Sequence, residues 1–267
     1  MEKTYLLISF IALSSFFLSY DLKQNNSNLE IEKSEYILDP ASIDSVSVEQ
    51  QELDYFYSLM AYAIVYKDWQ NNAVKESSRG YNIGSVLVDS MNYVVHWAIN
   101  SVNTTMNSTQ HGEVRLMQSY LDSIQSFSLK GFSIYTTLEP CAMCSGMMKL
   151  TKLYRTVYGQ TDPAYGNALE RLQFESASCC NGGYTPYPGI VISDKAPDPV
   201  SLEIDLAYAQ YKGVRLVDFL TTQEAKILFQ KASDMFQKYN KAKYEVNQKY
   251  IDDAHEFFSS IVPPVKN

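Results

Sequence analysis

The pattern of hydrophobic and polar positions predicts alternating helices and strands from about residue 47 onward. Apolar residues recur at helical spacing between residues 48 and 67, directly after the capping box Ser47-Val48-Glu49-Gln50. A second capping box, Thr221-Thr222-Gln223-Glu224, opens another periodic stretch. The predicted later helices cover 114–124, 141–150, 201–211 and 221 to about 258, the last with a break near Asn240.

Short runs rich in β-branched and aromatic residues predict five strands. Two of them, at 82–89 and 93–99, flank Ser90-Met91-Asn92 and predict an antiparallel hairpin. The other predicted strands lie at 132–138, 153–159 and 213–218. Glycines and prolines predict a loop-rich insertion with one helix at about 174–212. This order of elements indicates an α/β fold with helices on both faces of one sheet.

Residues 1–20 differ from the rest of the chain because an almost uninterrupted apolar run follows Lys3. The run predicts a secretory signal peptide, and therefore an exported protein, periplasmic or secreted. A membrane anchor formed by residues 4–20 is the alternative, since the run is near the shortest length that spans a bilayer. The predicted organisation is then a linker at 21–46, a folded domain at 47–220 and a C-terminal helical extension at 221–267.

The charge of the chain narrows the classes of partner. There are 22 Lys and Arg against 30 Asp and Glu, which gives a net charge of -8 at pH 7. An acidic chain does not attract a polyanion at long range, so a small-molecule substrate is favoured over a long nucleic acid. Contact with a membrane is predicted only through the N-terminal segment, if it stays uncleaved.

Two short motifs place metal-binding side chains at the starts of two predicted helices. They are His111-Gly112-Glu113 and Pro140-Cys141-Ala142-Met143-Cys144. One imidazole and two thiolates suit Zn²⁺, and three protein ligands leave a fourth position for water, as in catalytic sites. Zinc lowers the pKa of its water to about 7, and a nearby carboxylate can then move the protons. We expect one Zn²⁺ per chain on His111, Cys141 and Cys144, with Glu113 as the catalytic acid and base.

The C-x-x-C pair alone also fits a structural zinc knuckle or a redox pair. A redox pair leaves the H-x-E motif unexplained, and a structural site needs a fourth protein ligand. His96 is predicted to be a strand residue and His255 a solvated helix residue, so neither supplies that ligand. Cys179 and Cys180 are adjacent and bridge each other only with strain, which makes the cysteines a poor disulfide framework.

In this order and spacing, the motifs resemble the cytidine and deoxycytidylate deaminase superfamily, whose zinc nucleobase deaminases share H-x-E followed by P-C-x-x-C. The similarity covers about residues 50–175 and is greatest to the branch of tRNA adenosine, guanine and fungal-type cytosine deaminases. It implies a three-layer α/β/α fold with a five-stranded mixed sheet, and a homodimer. The similar stretches are Asn82–Val88, His111–Glu113, Thr137–Gly146 and Val157–Asp162.

The resemblance assigns the same roles to the zinc ligands and to the glutamate. It further implies that Asn100 and the backbone N–H of Gly112 contact the base, and that Asp162 contacts the substrate or fixes a loop. Gly112 departs from the alanine that is usual in this family. The predicted export is a second departure, because the family is normally intracellular.

The leading hypothesis is a zinc-dependent deaminase, a hydrolase of C–N bonds in cyclic amidines, that releases ammonia from a nucleobase or nucleoside. An alternative uses the same residues on adenosine or cytidine within RNA or DNA, which requires a basic groove and stacking aromatics. A third hypothesis, the least favoured, is a zinc-stabilised exported binding protein without activity, in which Glu113 would have no purpose. The shape of the pocket, not these motifs, selects the base.

Overall fold

The computed structural model describes residues 46–262. The predictions for the export segment and for most of the linker fall on residues 1–45, outside the described residues. None of the helices within 46–262 is long and apolar enough to cross a membrane. The strands are β1 Gly84–Val88, β2 Val94–Ile99, β3 Ser133–Leu138, β4 Arg155–Gln160 and β5 Ile192–Lys195. The α-helices are α1 Val48–Lys67, α2 Gly112–Ile124, α3 Ala142–Leu150, α4 Ala168–Gln173, α5 Pro199–Gln210, α6 Leu216–Phe219, α7 Gln223–Lys238 and α8 Gln248–Ser260.

The five strands form one mixed sheet in the order β2-β1-β3-β4-β5. β1 runs antiparallel to both β2 and β3, whereas β4 runs parallel to both β3 and β5. The β1–β2 pair confirms the predicted hairpin. The centre of the sheet is in register through Val86, Tyr135 and Val157.

Alternate residues of the central strands face two hydrophobic cores, as the two-residue period of a strand requires. Val86, Tyr135 and Val157 belong to the core shared with α1, α5, α7 and α8. Leu87 and Ile134 belong to the core shared with α2 and α3. Helices therefore cover both faces, and the expected three-layer α/β/α fold is confirmed.

The fifth strand lies elsewhere than predicted. β5 falls inside the segment predicted as a loop-rich insertion, and the strand predicted at 213–218 is wrong because that segment contains α6. β5 is a half-buried edge strand whose Asp194 pairs with Arg155 at 2.6 Å, so it lacks the apolar pattern of an inner strand. In the α6 region, Arg215 and Asp218 form an ion pair of 2.6 Å at a spacing that suits a helical turn.

The predicted break in the C-terminal helical stretch is confirmed, because α7 and α8 are separate helices. Glu52 of α1 fixes the connection between them. Its carboxylate accepts hydrogen bonds from the Tyr239 hydroxyl at 2.7 Å, the Asn247 side-chain amide at 2.8 Å and the Tyr244 N–H at 3.1 Å. The N–H of Lys243 donates to the same carboxylate. The C-terminal helices are thereby joined to the face of the sheet that α1 covers.

Candidate active site

Two helix starts bring the expected metal ligands together. α2 begins at Gly112 with His111 as its N-cap, and α3 begins at Ala142 with Cys141 as its N-cap. An N-cap side chain commonly accepts a hydrogen bond from the first turn of its helix. Neither His111 nor Cys141 makes such a bond. Both side chains are therefore available to bind an ion.

The three candidate ligand atoms form a nearly equilateral triangle. His111 Nδ1 lies 3.7 Å from Cys141 Sγ and 3.6 Å from Cys144 Sγ, and the two sulfur atoms are 3.7 Å apart. Tetrahedral zinc, with Zn–S of about 2.3 Å and Zn–N of about 2.0 Å, requires about 3.8 Å between two sulfur ligands and about 3.6 Å between sulfur and nitrogen. The residues present therefore fit Zn²⁺ with a fourth position left for water.

The other histidines are engaged elsewhere. His96 Nε2 lies 2.6 Å from the Ser119 hydroxyl, and His255 Nε2 lies 3.0 Å from the carbonyl oxygen of Tyr239. Within residues 46–262, the cluster of potential metal ligands consists of the three side chains above. A structural site with four protein ligands is thus not formed by this part of the chain.

Glu113 lies directly beside the ligand cluster. Its side chain is buried, and Oε2 is 3.6 Å from Cys144 Sγ. Burial raises the pKa of Glu113, because the charged form loses its hydration. This carboxyl consequently binds a proton more readily than an exposed one. A group that takes and returns a proton next to the site of an attacking water can serve as acid and base.

A chain of two hydroxyl groups leads to the Glu113 carboxyl, and no sequence motif indicated either of them. Thr136 Oγ1 on β3 donates to Glu113 Oε1 at 3.1 Å. Ser85 Oγ on β1 lies 3.0 Å from Thr136 Oγ1, across a directly paired position of the two strands. Their signal in the sequence is a hydroxyl residue on the same face of each buried strand.

The two cysteines differ in proton affinity. The hydrogen bond shared with Cys144, together with the nearby His111, lowers the pKa of Cys141 to about 4. The same bond, together with burial, raises the pKa of Cys144. Cys141 is therefore the thiolate that first attracts a cation, and a bound cation then favours ionisation of Cys144.

Asn100 follows β2 and is completely buried. Its Oδ1 accepts hydrogen bonds from the backbone N–H groups of Tyr81 at 3.1 Å and Val102 at 3.3 Å. Its Nδ2 has no hydrogen-bond partner among the described residues. The residue expected to contact the base is thus a buried donor that still needs an acceptor.

Gly112 lies in close contact with the sheet. A Cβ atom at this position would be 3.3 Å from the carbonyl oxygen of Ala98 and 3.3 Å from Ser85 Oγ. The first residue of α2 therefore approaches β1 and β2 closely, which helps to set the position of Glu113, the next residue of the helix. The contact of its N–H with a base stays a prediction.

Asp162 fixes a loop in this structure. Its Oδ1 accepts from the N–H groups of Ala164 at 2.9 Å and Tyr165 at 3.0 Å. Its own N–H donates to Glu139 Oε2 at 3.0 Å, and Glu139 Oε1 accepts from the N–H of Asn167 at 2.7 Å. Glu139, to which sequence reasoning assigned no role, therefore joins the loop after β4 to the start of α3. A substrate contact for Asp162 stays a prediction.

Comparison with known proteins agrees with this geometry. Residues 61–160 match the family model of the cytidine and deoxycytidylate deaminase zinc-binding region. A tRNA-specific adenosine deaminase of Rickettsia felis is 31% identical over 113 residues, which are 42% of this chain and 78% of that protein. The tRNA-specific adenosine deaminase 2 of Xenopus laevis is 33% identical over 110 residues, which are 38% of this chain and 63% of that protein.

A solved structure of a guanine deaminase from Nitrosomonas europaea is also similar. It has a TM-score of 0.38 and 11% sequence identity, covering 67% of this chain and 83% of that one. The weight of the comparison lies with the sequence relatives, because the Rickettsia felis protein is matched over more than two thirds of its length. The chain therefore belongs to the cytidine and deoxycytidylate deaminase superfamily.

Proposed function

We propose that this chain is a zinc-dependent hydrolytic deaminase of a nucleobase or nucleoside. The proposal is carried by one observation, the buried carboxyl of Glu113 next to a three-ligand zinc site. A purely structural zinc site has no use for such a carboxyl. Deamination requires one, because water must lose a proton and the departing amine must gain one.

The residues have separate tasks in this reaction. His111, Cys141 and Cys144 hold the metal, which when bound supplies a water acidified to a pKa of about 7. Glu113 takes one proton from the attacking water and passes it to the ring nitrogen, then takes the second proton of that water and passes it to the amine, which leaves as ammonia. Thr136 holds Oε1 of the glutamate, so Oε2, the oxygen nearer the ligand cluster, carries the proton.

Recognition of the base is proposed for two groups. The free Nδ2 of Asn100 donates to an acceptor on the base, and the backbone N–H of Gly112 faces its edge. The burial of Asn100 and the missing partner of its amide support this proposal. An unpaired buried donor is unfavourable, so a substrate that pairs it gains affinity.

The direct test is ammonia release from a panel of bases, nucleosides and nucleotides by the purified, zinc-loaded protein. We expect turnover of one chemical class, and loss of turnover when zinc is removed. A fully zinc-loaded, folded protein that releases no ammonia from any member of the panel would contradict the proposal.

Deamination of adenosine within RNA is the second candidate. It is supported by the Rickettsia felis and Xenopus laevis relatives, which are named tRNA-specific adenosine deaminases. Exposed aromatic rings of Tyr165, Tyr184 and Tyr187 could stack on bases. The net charge of -8 opposes it, and Lys231 of α7 is paired with Glu203 at 2.5 Å. Adding a tRNA anticodon stem–loop to the same panel distinguishes the two candidate functions. Turnover of this RNA that falls steeply as the salt concentration rises indicates a nucleic-acid substrate.

We also propose that the chain is exported. The support is the apolar run that follows Lys3 within residues 1–20. Expression of the full chain in a host with a secretory pathway, followed by N-terminal sequencing, tests this. Loss of about 20 residues supports a signal peptide, and an intact N-terminus in the membrane fraction supports an anchor. An intact chain found only in the cytosol contradicts both.

A further inference from the structure

The side-chain amide of Asn100 is held in one orientation. Oδ1 is occupied by the N–H groups of Tyr81 and Val102, at 3.1 and 3.3 Å. Rotating the amide by half a turn would place its NH₂ group against these two donors, which is unfavourable. Nδ2 must therefore point away from them, and no described residue accepts its hydrogen bonds.

The Arg79 side chain binds the backbone of Asn100 and of Tyr81, one of the residues whose N–H donates to the Asn100 amide. Its Nη1 donates to the carbonyl oxygen of Asn100 and, at 3.1 Å, to that of Tyr81. Its Nε donates to Asp68 Oδ2 at 2.8 Å, and both side chains of this ion pair are only 7% exposed. A planar guanidinium with several fixed bonds in a dry environment has little freedom to move.

Backbone bonds fix Arg79 in turn. Its N–H donates to Gln70 Oε1 at 3.1 Å, and its carbonyl oxygen accepts from the N–H groups of Asn103 at 3.2 Å and Thr104 at 3.1 Å. Asn103 and Thr104 belong to the loop that connects β2 to the first zinc ligand. The segment before β1 and this loop thus form one hydrogen-bonded unit.

Gly80 provides the space for this unit. Its φ is +152°, and a Cβ atom at this position would lie 2.4 Å from Asn100 Oδ1. Only a residue without a side chain lets the amide oxygen reach the N–H of Tyr81. Three consecutive residues therefore hold Asn100. Arg79 donates to its backbone carbonyl oxygen, Gly80 leaves room for its side chain, and the N–H of Tyr81 donates to its amide oxygen.

We propose that Arg79, held by Asp68, is a positioning residue that keeps the N–H donor of Asn100 directed toward the substrate. The inference rests on the proposed function, since it requires a base to lie against Asn100. The site then selects bases that offer an acceptor at that edge, a carbonyl oxygen or an unprotonated ring nitrogen. A base without the acceptor leaves a buried donor unpaired, and such sites discriminate strongly.

Three variants of the full chain test the proposal. Arg79→Lys keeps the charge but removes the fork that joins Asp68 to the two carbonyl oxygens. Asp68→Asn leaves the Arg79 side chain unaltered and removes the negative charge with which it pairs, and this variant is used if Arg79→Lys does not fold. Arg155→Lys is the matched control, because Arg155 is also 7% exposed and pairs with Asp54 at 2.7 Å on another part of the sheet.

The first measurement does not depend on activity. In the ¹⁵N-labelled, zinc-loaded protein, the two side-chain NH₂ proton resonances of Asn100 are assigned by their loss in Asn100→Ala. We expect Arg79→Lys or Asp68→Asn to shift or broaden these resonances, and Arg155→Lys to leave them unchanged. Unchanged resonances in a folded Arg79→Lys protein, or equal changes in the Arg155→Lys control, overturn the proposal.

The second measurement uses the base or nucleoside that the wild type deaminates. Arg79→Lys is expected to raise KM by about tenfold or more with a smaller change in kcat, at unchanged zinc content. If Arg79 acts through Asn100, the double variant Arg79→Lys/Asn100→Ala is no worse than Asn100→Ala alone. If the activity losses of Arg79→Lys and Asn100→Ala multiply in the double variant, the inference is overturned. A wild type that deaminates nothing overturns the proposed function instead, and the amide resonances still decide what Arg79 does to Asn100.

Discussion

At the scale of single residues, the proposed chemistry depends on a carboxyl that exchanges protons without changing its place. Thr136 donates a hydrogen bond to one oxygen of Glu113, and burial raises the pKa of Glu113. The carboxyl of Glu113 is therefore both fixed in place and ready to accept a proton. Glu113→Gln keeps the size of the side chain and can keep the bond from Thr136, but it cannot carry the proton. We expect kcat to fall by about 10²–10⁴, measured as ammonia release, with one zinc still bound per chain.

The control for this variant is Glu256→Gln, which changes an exposed glutamate on α8 and should leave kcat unaltered. Metal analysis of both variants separates a lost proton carrier from a lost metal site. Full activity of zinc-loaded Glu113→Gln would show that the mechanism is wrong.

We predict a second role for zinc at the same scale, the protection of the two thiols against oxidation. Cys141 Sγ and Cys144 Sγ are 3.7 Å apart, and the pKa of Cys141, lowered to about 4, keeps that sulfur as thiolate. If zinc is removed with a chelator and diamide is added as oxidant, we expect the pair to lose two protons and two electrons and form a disulfide. Activity should then return only after both a reductant and zinc are added.

The exposed Cys179 and Cys180 would confuse this experiment, so it is done in a chain with serine at both positions. Mass spectrometry should show the loss of two hydrogens only after chelation, and zinc-loaded protein should resist the same oxidant. Activity that survives complete zinc removal under these conditions would contradict both the metal dependence and the protective role.

At the scale of elements, the helices and strands that could be predicted are those whose position is determined by a pattern of neighbouring residues. The hairpin, the two helix starts with their ligands and the break after α7 each have a signal within a few residues of themselves. β5 was missed because an edge strand with polar Ser193, Asp194 and Lys195 carries no apolar alternation. The bond between Arg79 and Asn100 joins positions 21 residues apart, and no spacing rule predicts such a contact.

Glu52 gives a testable property of the C-terminal elements. Burial raises its pKa, but the hydrogen bonds from Tyr239, Asn247, Lys243 and Tyr244 outweigh burial and bring the pKa below its ordinary value. The charged carboxylate therefore stabilises the fold above the pKa of about 4.3 in the unfolded chain, and this contribution disappears as the pH falls through the folded-state pKa. We expect Glu52→Gln to lower the unfolding free energy at pH 7 by about 2 kcal/mol.

Urea unfolding of the wild type and Glu52→Gln between pH 7 and pH 3 measures this difference. The two curves should converge at acid pH, because the wild type loses the ionised carboxylate that the variant never had. A difference that stays constant over the whole range would show that packing, and not the charge of Glu52, holds α7 and α8 in place.

At the scale of the whole molecule, the arrangement of charge and of exposed apolar side chains points to different partners. The net charge of -8 disfavours a polyanion, and Lys231 of α7 is paired with Glu203 at 2.5 Å. Apolar side chains are exposed on the zinc-binding helix instead, where Met143 is 36% and Leu150 57% exposed, and Tyr154 beyond its end is 50% exposed. Met143 and Leu150 are seven residues apart and therefore share one face of α3, which makes this face a candidate for a protein contact.

We therefore expect the homodimer implied by the family resemblance to form through the outer face of α3. Leu150→Lys should convert a species with the mass of two chains into one with the mass of a single chain, measured by light scattering after size exclusion. A lysine placed between two apolar surfaces must lose its hydration without gaining a partner, which weakens association. Leu150 is exposed in the single chain, so folding and zinc content should be unaffected.

Val214→Lys is the matched control, since Val214 is 95% exposed in the segment between α5 and α6, and these helices pack on the opposite face of the sheet from α3. It should remain dimeric. A monomeric wild type would contradict the prediction, and a dimeric Leu150→Lys protein would place the interface elsewhere. Because Cys144 lies in α3 and Cys141 is its N-cap, a dimer through this face would also stabilise the metal site, and the monomeric variant should then lose zinc to a chelator faster than the wild type.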